Sequence, residues 1–202
     1  MRYPVDSSRF GFDSADEKAA AHRRARSWVE HPEVDDVHCT NELHAYKDAN
    51  VKVWMRTLDV IHSLTMPNLR LKQDVLPGKT IPMWFRAEKS NCRFVLKERG
   101  RGPELPVVLD EETKEVKVRM PGSQEAVPLA GQLANLRGEM VSSGNKKDAW
   151  ELACQELCGA RHYAMRGRLY IHEDARSFYA WLRFTQARQR ARTLETSVAM
   201  DK

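Results

Sequence analysis

The residues best suited to chemistry lie in one short stretch: Cys154-Gln155-Glu156-Leu157-Cys158-Gly159-Ala160-Arg161-His162-Tyr163-Ala164-Met165. It offers two thiolates, an imidazole and a thioether in the spacing Cys-x3-Cys-x3-His-x2-Met. The set is soft. Thiolate and thioether together favour copper, and imidazole suits copper as well. Zinc commonly takes Cys and His, but a methionine ligand is foreign to it. Each residue alone has a plainer reading: Cys154 and Cys158 as buried thiols or a local disulfide, Met165 as core filler. The joint spacing argues for a metal loop over those readings taken together. Cys92 reads as a lone thiol, and four cysteines are too few for a disulfide-built scaffold.

Such a loop needs a stiff frame, and the rest of the chain reads mainly as strands. Residues 51–58 (VKVWMRTL) alternate, with Val51, Val53, Met55 and Thr57 on one face and Lys52, Trp54, Arg56 and Leu58 on the other. Residues 81–87, 150–154 and 167–172 read as further strands, with a Pro77-Gly78 turn signal before the first of these. Ser14 and Glu17 form a capping box for a short helix over 15–29. Asp174 is a suitable N-cap for a helix over 174–193, whose Phe178, Trp181 and Leu182 give it an apolar face. Residues 88–148 carry Gly, Pro and charge. They read as a surface insertion with a hairpin near 106–120. Short strands, a final helix and no βαβ rhythm predict an all-β sandwich or barrel.

Composition narrows the class. Hydrophobic residues make up 42% and charged residues 30%, which is globular and neither disordered nor membrane-like. The apolar runs fall far short of the roughly 20 residues that span a bilayer, and the start MRYPVDSSRF does not read as a signal peptide. The net charge of +5 is mild. Part of it lies in Arg183, Arg188, Arg190 and Arg192, which read as a solvated helix face. No basic patch is interleaved with aromatics, so no nucleic-acid partner is expected.

The stretch CQELCGARHYAM followed by RGRLYIHE resembles the copper loop of cytochrome c oxidase subunit II. DVIHSLTMPNLRLKQDVLPGKT (59–80) resembles a second motif of that family, Asp-Val-x-His-Ser followed by Lys-Gln-Asp and Pro-Gly. NELHAYKDANVKVWMRTLD (41–59) is similar to the strand leading to that histidine. The resemblance covers 41–87 and 149–183 well and the N-terminal stretch weakly. It implies a cupredoxin-like Greek-key β-barrel or sandwich over 1–183, with surface insertions at about 14–38 and 88–148. A basic helix end and tail would follow over 184–202. It implies two copper ions in a dinuclear centre (CuA) held by His62, Cys154, the Glu156 carbonyl, Cys158, His162 and Met165. The two cysteines would bridge both coppers. His62 and Met165 would complete one copper, His162 and the Glu156 carbonyl the other. The Glu156 side chain would reach a magnesium or manganese ion shared with the catalytic subunit. His38, His44 and His172 match no such role and read as surface or packing residues.

The resemblance further implies an electron inlet. The domain would accept electrons from cytochrome c or a small copper protein. It would pass them to haem in catalytic subunit I, for dioxygen reduction on the outer, periplasmic-type face of a bacterial cytoplasmic membrane. A related copper loop in nitrous oxide reductase usually has an aromatic where Glu156 stands, so the glutamate and the two upstream motifs favour the oxidase. A copper-delivery module without electron transfer is the alternative. The family normally has two transmembrane helices before this domain, and none is read in these residues. The expectation is an excised or truncated domain, associated with the membrane through the complex or through anchor helices missing from this chain. The family's electron-entry Trp before the position of Tyr3 is missing, and Tyr3, Phe10 and Phe12 are the nearest aromatics.

Overall fold

A computed structural model describes residues 2–3, 36–100, 102–142 and 150–200. The helix expected over 15–29, and Phe10 and Phe12, lie outside the described residues. Along the chain the strands are β1 Arg2–Tyr3, β2 Val37–His38, β3 Glu42–Tyr46, β4 Asn50–Met55, β5 His62–Met66, β6 Leu71–Val75 and β7 Ile81–Arg86. There follow β8 Cys92–Glu98, β9 Val107–Leu109, β10 Val116–Arg119, β11 Ala126–Pro128, β12 Leu136–Ser142, β13 Trp150–Cys154 and β14 Arg166–His172. The helix α1 Ala175–Met200 ends the described chain. The described residues are thus mostly β-strand with one C-terminal helix, the class expected from the sequence.

The chain divides into two compact units. The first comprises Met1–Leu43, Asn50–Arg86 and Trp150–Leu169; the second comprises His44–Ala49, Ala87–Ala149 and Tyr170–Lys202. Strands β3 and β14 each contribute residues to both.

In the first unit β4 and β7 pair antiparallel in register from Asn50↔Arg86 to Met55↔Ile81. Strand β5 pairs antiparallel with β6 on one side and with β13 on the other. A strand late in the chain thus lies beside an early one, so the topology is not a simple meander. Strand β13 also pairs antiparallel with β14, with Leu152 opposite Gly167. Gly167 is required there, because a Cβ at this position would stand 2.5 Å from the Asn41 carbonyl oxygen. Arg168 N–H donates to that same carbonyl at 2.8 Å.

The second unit departs from the sequence reading. The described residues between 88 and 142 are not a loop over a surface, since they supply much of this unit's apolar core. Strands β8 and β12 pair along their full length, from Leu136↔Glu98 to Ser142↔Cys92. Phe94, Val95, Leu96, Leu105, Val116 and Leu136 are buried. The physical reason is visible in Phe94-Val95-Leu96. A run of apolar residues without alternation suits a strand covered on both faces, and the charged flanks Arg93 and Lys97 mask it. The hairpin expected near 106–120 is present as β9 and β10, which share β10 with β11.

Helix α1 begins where Asp174 predicts: its Oδ1 accepts Ser177 N–H at 2.7 Å. Ser177, Ala180, Trp181 and Phe184 recur at helical spacing and are all buried. The helix runs on to Met200, past the expected end at 193 and with no break at 183–184. Residues 175–200 contain neither Gly nor Pro, so nothing local stops it.

Candidate metal centre

The candidate residues of the first unit converge through strand register. Cys154, the last residue of β13, lies opposite Leu64 of β5. His62 is two residues before Leu64, so it is on the same face and one diagonal step from Cys154. Two residues 92 apart in the chain are thereby brought to one end of one sheet. Residues 155–165 then form the connection from β13 to β14. Both ends are tied: Cys154 N–H donates to the Met165 carbonyl at 3.0 Å, and Gln155 N–H to the Ser63 carbonyl at 3.1 Å. Within the loop Gly159 has φ +122°, open to glycine and strained for other residues, and its carbonyl accepts His162 N–H at 3.0 Å. A 3-10 turn over His162–Ala164 brings Met165 back to the sheet.

All six sequence-predicted donors meet in this loop and at the start of β5. Cys154 Sγ is 3.8 Å from Cys158 Sγ, 3.8 Å from His62 Nδ1 and 3.3 Å from the Glu156 carbonyl oxygen. Cys158 Sγ is 3.5 Å from His162 Nδ1 and 3.3 Å from Met165 Sδ. The donor atoms of His62, Cys154 and Cys158 lie within 4.8 Å of one another. The spacing suits metal binding. Sulfur and nitrogen donors at about 2.0–2.3 Å from one tetrahedral ion stand roughly 3.3–3.8 Å from each other. Both cysteines are free thiols, so the local disulfide is not formed.

The electrostatics are unequal across the cluster. Burial alone would raise Cys154, but backbone hydrogen bonds of Ser63 and Glu156, with help from His62 and His162, bring it down to about 6. Cys158 is raised by burial and by its hydrogen bond with Cys154, whose negative charge adds to the effect. The two thiols are close enough that loss of a proton from one discourages its loss from the other. Metal ions take the place of such protons when they bind cysteine. His62 is raised chiefly by its hydrogen bond with Asp59. Asp59 falls to about 2, mainly through that same bond and then through Val60 and Thr57. The Glu156 side chain is half-buried and, among the described residues, makes no hydrogen bond or ion pair.

The sequence analysis quoted Asp59 as the first residue of the Asp-Val-x-His-Ser motif but gave it no role; in the structure it touches His62. The spacing Asp-x2-His is its signal. His44 and His172 are buried in the second unit and belong to packing, as one of their two readings had it.

A mostly-β chain that gathers thiols, imidazoles and a thioether on a strand-end loop defines a β domain with a candidate metal site. Comparison with known proteins narrows the class. The family model described as cytochrome c oxidase subunit II, periplasmic domain, matches residues 21–96. The alternative cytochrome c oxidase subunit 2 of Bradyrhizobium diazoefficiens is 24% identical over 149 residues, covering 73% of this chain and 33% of that protein. Cytochrome c oxidase subunit 2 of Synechocystis sp. is 48% identical over 48 residues, 24% of this chain and 14% of that protein. The crystal structure of the periplasmic domain of subunit II of cytochrome oxidase (CoxB) of Bradyrhizobium japonicum aligns over 80% of this chain and 73% of that one. Its TM-score is 0.43 at 17% identity. The chain spans about a third of the length of the first of these relatives. It resembles cytochrome c oxidase subunit II, as its two motifs imply. Among the described residues no helix is long and apolar enough to cross a membrane.

Proposed function

We propose that this chain is the copper-bearing, electron-accepting domain of a cytochrome c oxidase, with a cupredoxin-like frame and a dinuclear centre. The observation that carries the reading is the convergence of two thiols, 3.8 Å apart, each with its own imidazole: His62 at Cys154 and His162 at Cys158. Met165 Sδ lies beside Cys158 and the Glu156 carbonyl beside Cys154, the reverse of the pairing the resemblance implies, and each adds one further donor. Such a centre, when bound, supplies one-electron chemistry with the unpaired electron shared between two coppers. The chain's own contribution is to hold the donors. Thiolates of Cys154 and Cys158 neutralise metal charge, and His62, His162, Met165 and the Glu156 carbonyl fix the outer positions. Because the donors hang from strand ends and a doubly tied loop, they need move little when charge changes. Rigid placement of this kind keeps a metal site's geometry constant.

The surroundings favour an electron inlet over an enclosed store. Leu58, Val60, Ile61, Leu157, Tyr163 and Met165 are large apolar side chains left exposed, all on the two loops that carry or flank the candidate donors. Exposed apolar groups concentrated at one site are typical of a docking face. The proposed partners are cytochrome c or a small copper protein as donor and the catalytic subunit as acceptor. The half-buried Glu156 carboxylate is available for a magnesium or manganese ion at the second contact. The place of work is the outer face of the membrane that holds the oxidase.

The test is copper content together with the electron paramagnetic resonance spectrum of the oxidised, copper-loaded chain. Two coppers per chain with hyperfine structure shared over both nuclei is the expected result. One copper with the pattern of a single nucleus would overturn the dinuclear reading and leave a copper-delivery module.

A further inference from the structure

His62 is the first residue of β5, so the sheet fixes its Cα but not the rotation of its ring. An imidazole has two nitrogens, and only one can face the sulfur. In this structure Nδ1 faces Cys154 Sγ at 3.8 Å, while Nε2 is 2.9 Å from Asp59 Oδ1. Asp59 is itself held. The Thr57 hydroxyl lies 3.0 Å from the same Oδ1 and 2.9 Å from the Val60 carbonyl. Thr57 is buried and bridged to Pro77, so this anchor belongs to the frame and not to the solvent. The second imidazole has no counterpart. Among the described residues, the contacts of the His162 ring are with the cysteine sulfurs, Cys158 Sγ at 3.5 Å and Cys154, and none is with a carboxylate.

Resting on the reading of His62 as a metal donor, we propose that Asp59 is a positioning residue for it: Asp59 accepts the Nε2 hydrogen and so presents the Nδ1 lone pair to the Cys154 side of the centre. A carboxylate on the remote N–H of a metal-binding imidazole fixes the tautomer, locks the ring plane and raises the basicity of the donor nitrogen. Among the described residues that support reaches one imidazole only. The two sides of the centre are therefore unequal before any metal binds: the His62 side is preset, and the His162 side must set its ring on binding. Thr57 completes a chain of contacts from the frame through Asp59 and His62 to Cys154.

The experiment compares the copper-loaded wild-type chain with Asp59→Ala and Asp59→Asn. Copper affinity is measured against a competing chelator, and the nitrogen hyperfine couplings of the two imidazoles by pulsed paramagnetic resonance. Asp59→Ala is expected to lose affinity about ten- to hundred-fold and to change one set of nitrogen couplings while leaving the other. Asp59→Asn, whose amide oxygen can still accept the N–H, stays close to wild type. The metal-free unfolding temperature of both variants should match wild type, because the carboxylate is 68% exposed. Wild-type affinity and couplings in Asp59→Ala overturn the proposal. An equal loss in both variants also overturns it, by assigning the effect to charge and not to the hydrogen bond. Failure of the wild-type chain to take up copper would instead overturn the underlying reading of His62.

Discussion

Cys154 and Cys158 share one loop but not one environment, and that difference decides what each substitution should do. Cys154 is tied into the sheet and into the backbone hydrogen bonds that bring its thiol down. Cys158 sits out in the loop, between Cys154, His162 and Met165. On the proposed reading it is the second bridge. Serine there keeps the size and loses the chemistry, since a hydroxyl stays protonated near neutral pH and is a poor partner for a soft metal. Cys158→Ser should fall from two coppers per chain to at most one, measured by metal analysis of the loaded variant. Two coppers with an unchanged spectrum would remove Cys158 from the centre. Much of this site was legible in the sequence because the loop is contiguous: spacing alone exposed Cys154, Cys158, His162 and Met165. His62 was legible only through a second motif, since nothing in the loop points across 92 residues. Asp59 was legible as a member of that motif but not in its role. An exposed acid acquires its meaning from the ring it touches.

Strand elements set the loop's two ends, so the frame should be sensitive far from any donor. Gly167 of β14 faces Leu152 of β13 and leaves no room for a Cβ beside the Asn41 carbonyl. The obstructing atom is backbone and cannot rotate away. In Gly167→Ala the Asn41 turn, which has φ +58° at Asn41, must shift and its bond from Arg168 N–H must lengthen. Overpacking of this kind costs about 1–3 kcal/mol. The expected outcome is a lower urea midpoint for the metal-free variant with an unchanged slope, and a wild-type midpoint would show that the turn yields freely. Elements were unevenly legible. Alternation in 51–58, where the strand ends at Met55, and the cap at Asp174 stood out, because each pairs a local pattern with a local structure. Strand β8 did not, because its burial comes from β12 and α1, which arrive from later in the chain. Short apolar runs between charges cannot announce which surfaces will cover them.

Over the whole chain the pH response combines groups that act in opposite directions, and one buried histidine gives the clearest sign. His172 is fully buried, with Ser177 Oγ 2.9 Å from Nδ1 and His44 Nδ1 3.1 Å from Nε2. Ser177 Oγ accepts Phe94 N–H at 2.7 Å, so its own hydrogen can go to His172, whose Nε2–H then serves His44. Trp181 stacks on His44 at 3.6 Å between centroids and closes the cluster from above. Burial, and then the proximity of His44, hold His172 well below its ordinary value. The folded chain therefore refuses a proton that the unfolded chain accepts below about pH 6.5. Stability from this residue is complete above that value and falls with pH below it, by up to about 1.4 kcal/mol per pH unit until the folded form also protonates. His62 acts the other way, because its bond with Asp59 raises it and favours the protonated folded form. The useful quantity is thus a difference. Between about pH 6 and pH 5, the metal-free wild type should lose stability more steeply than His172→Gln in denaturant titrations. Parallel slopes for the two chains would mean that the cluster opens to solvent before it titrates, and that His172 is not held neutral by the core.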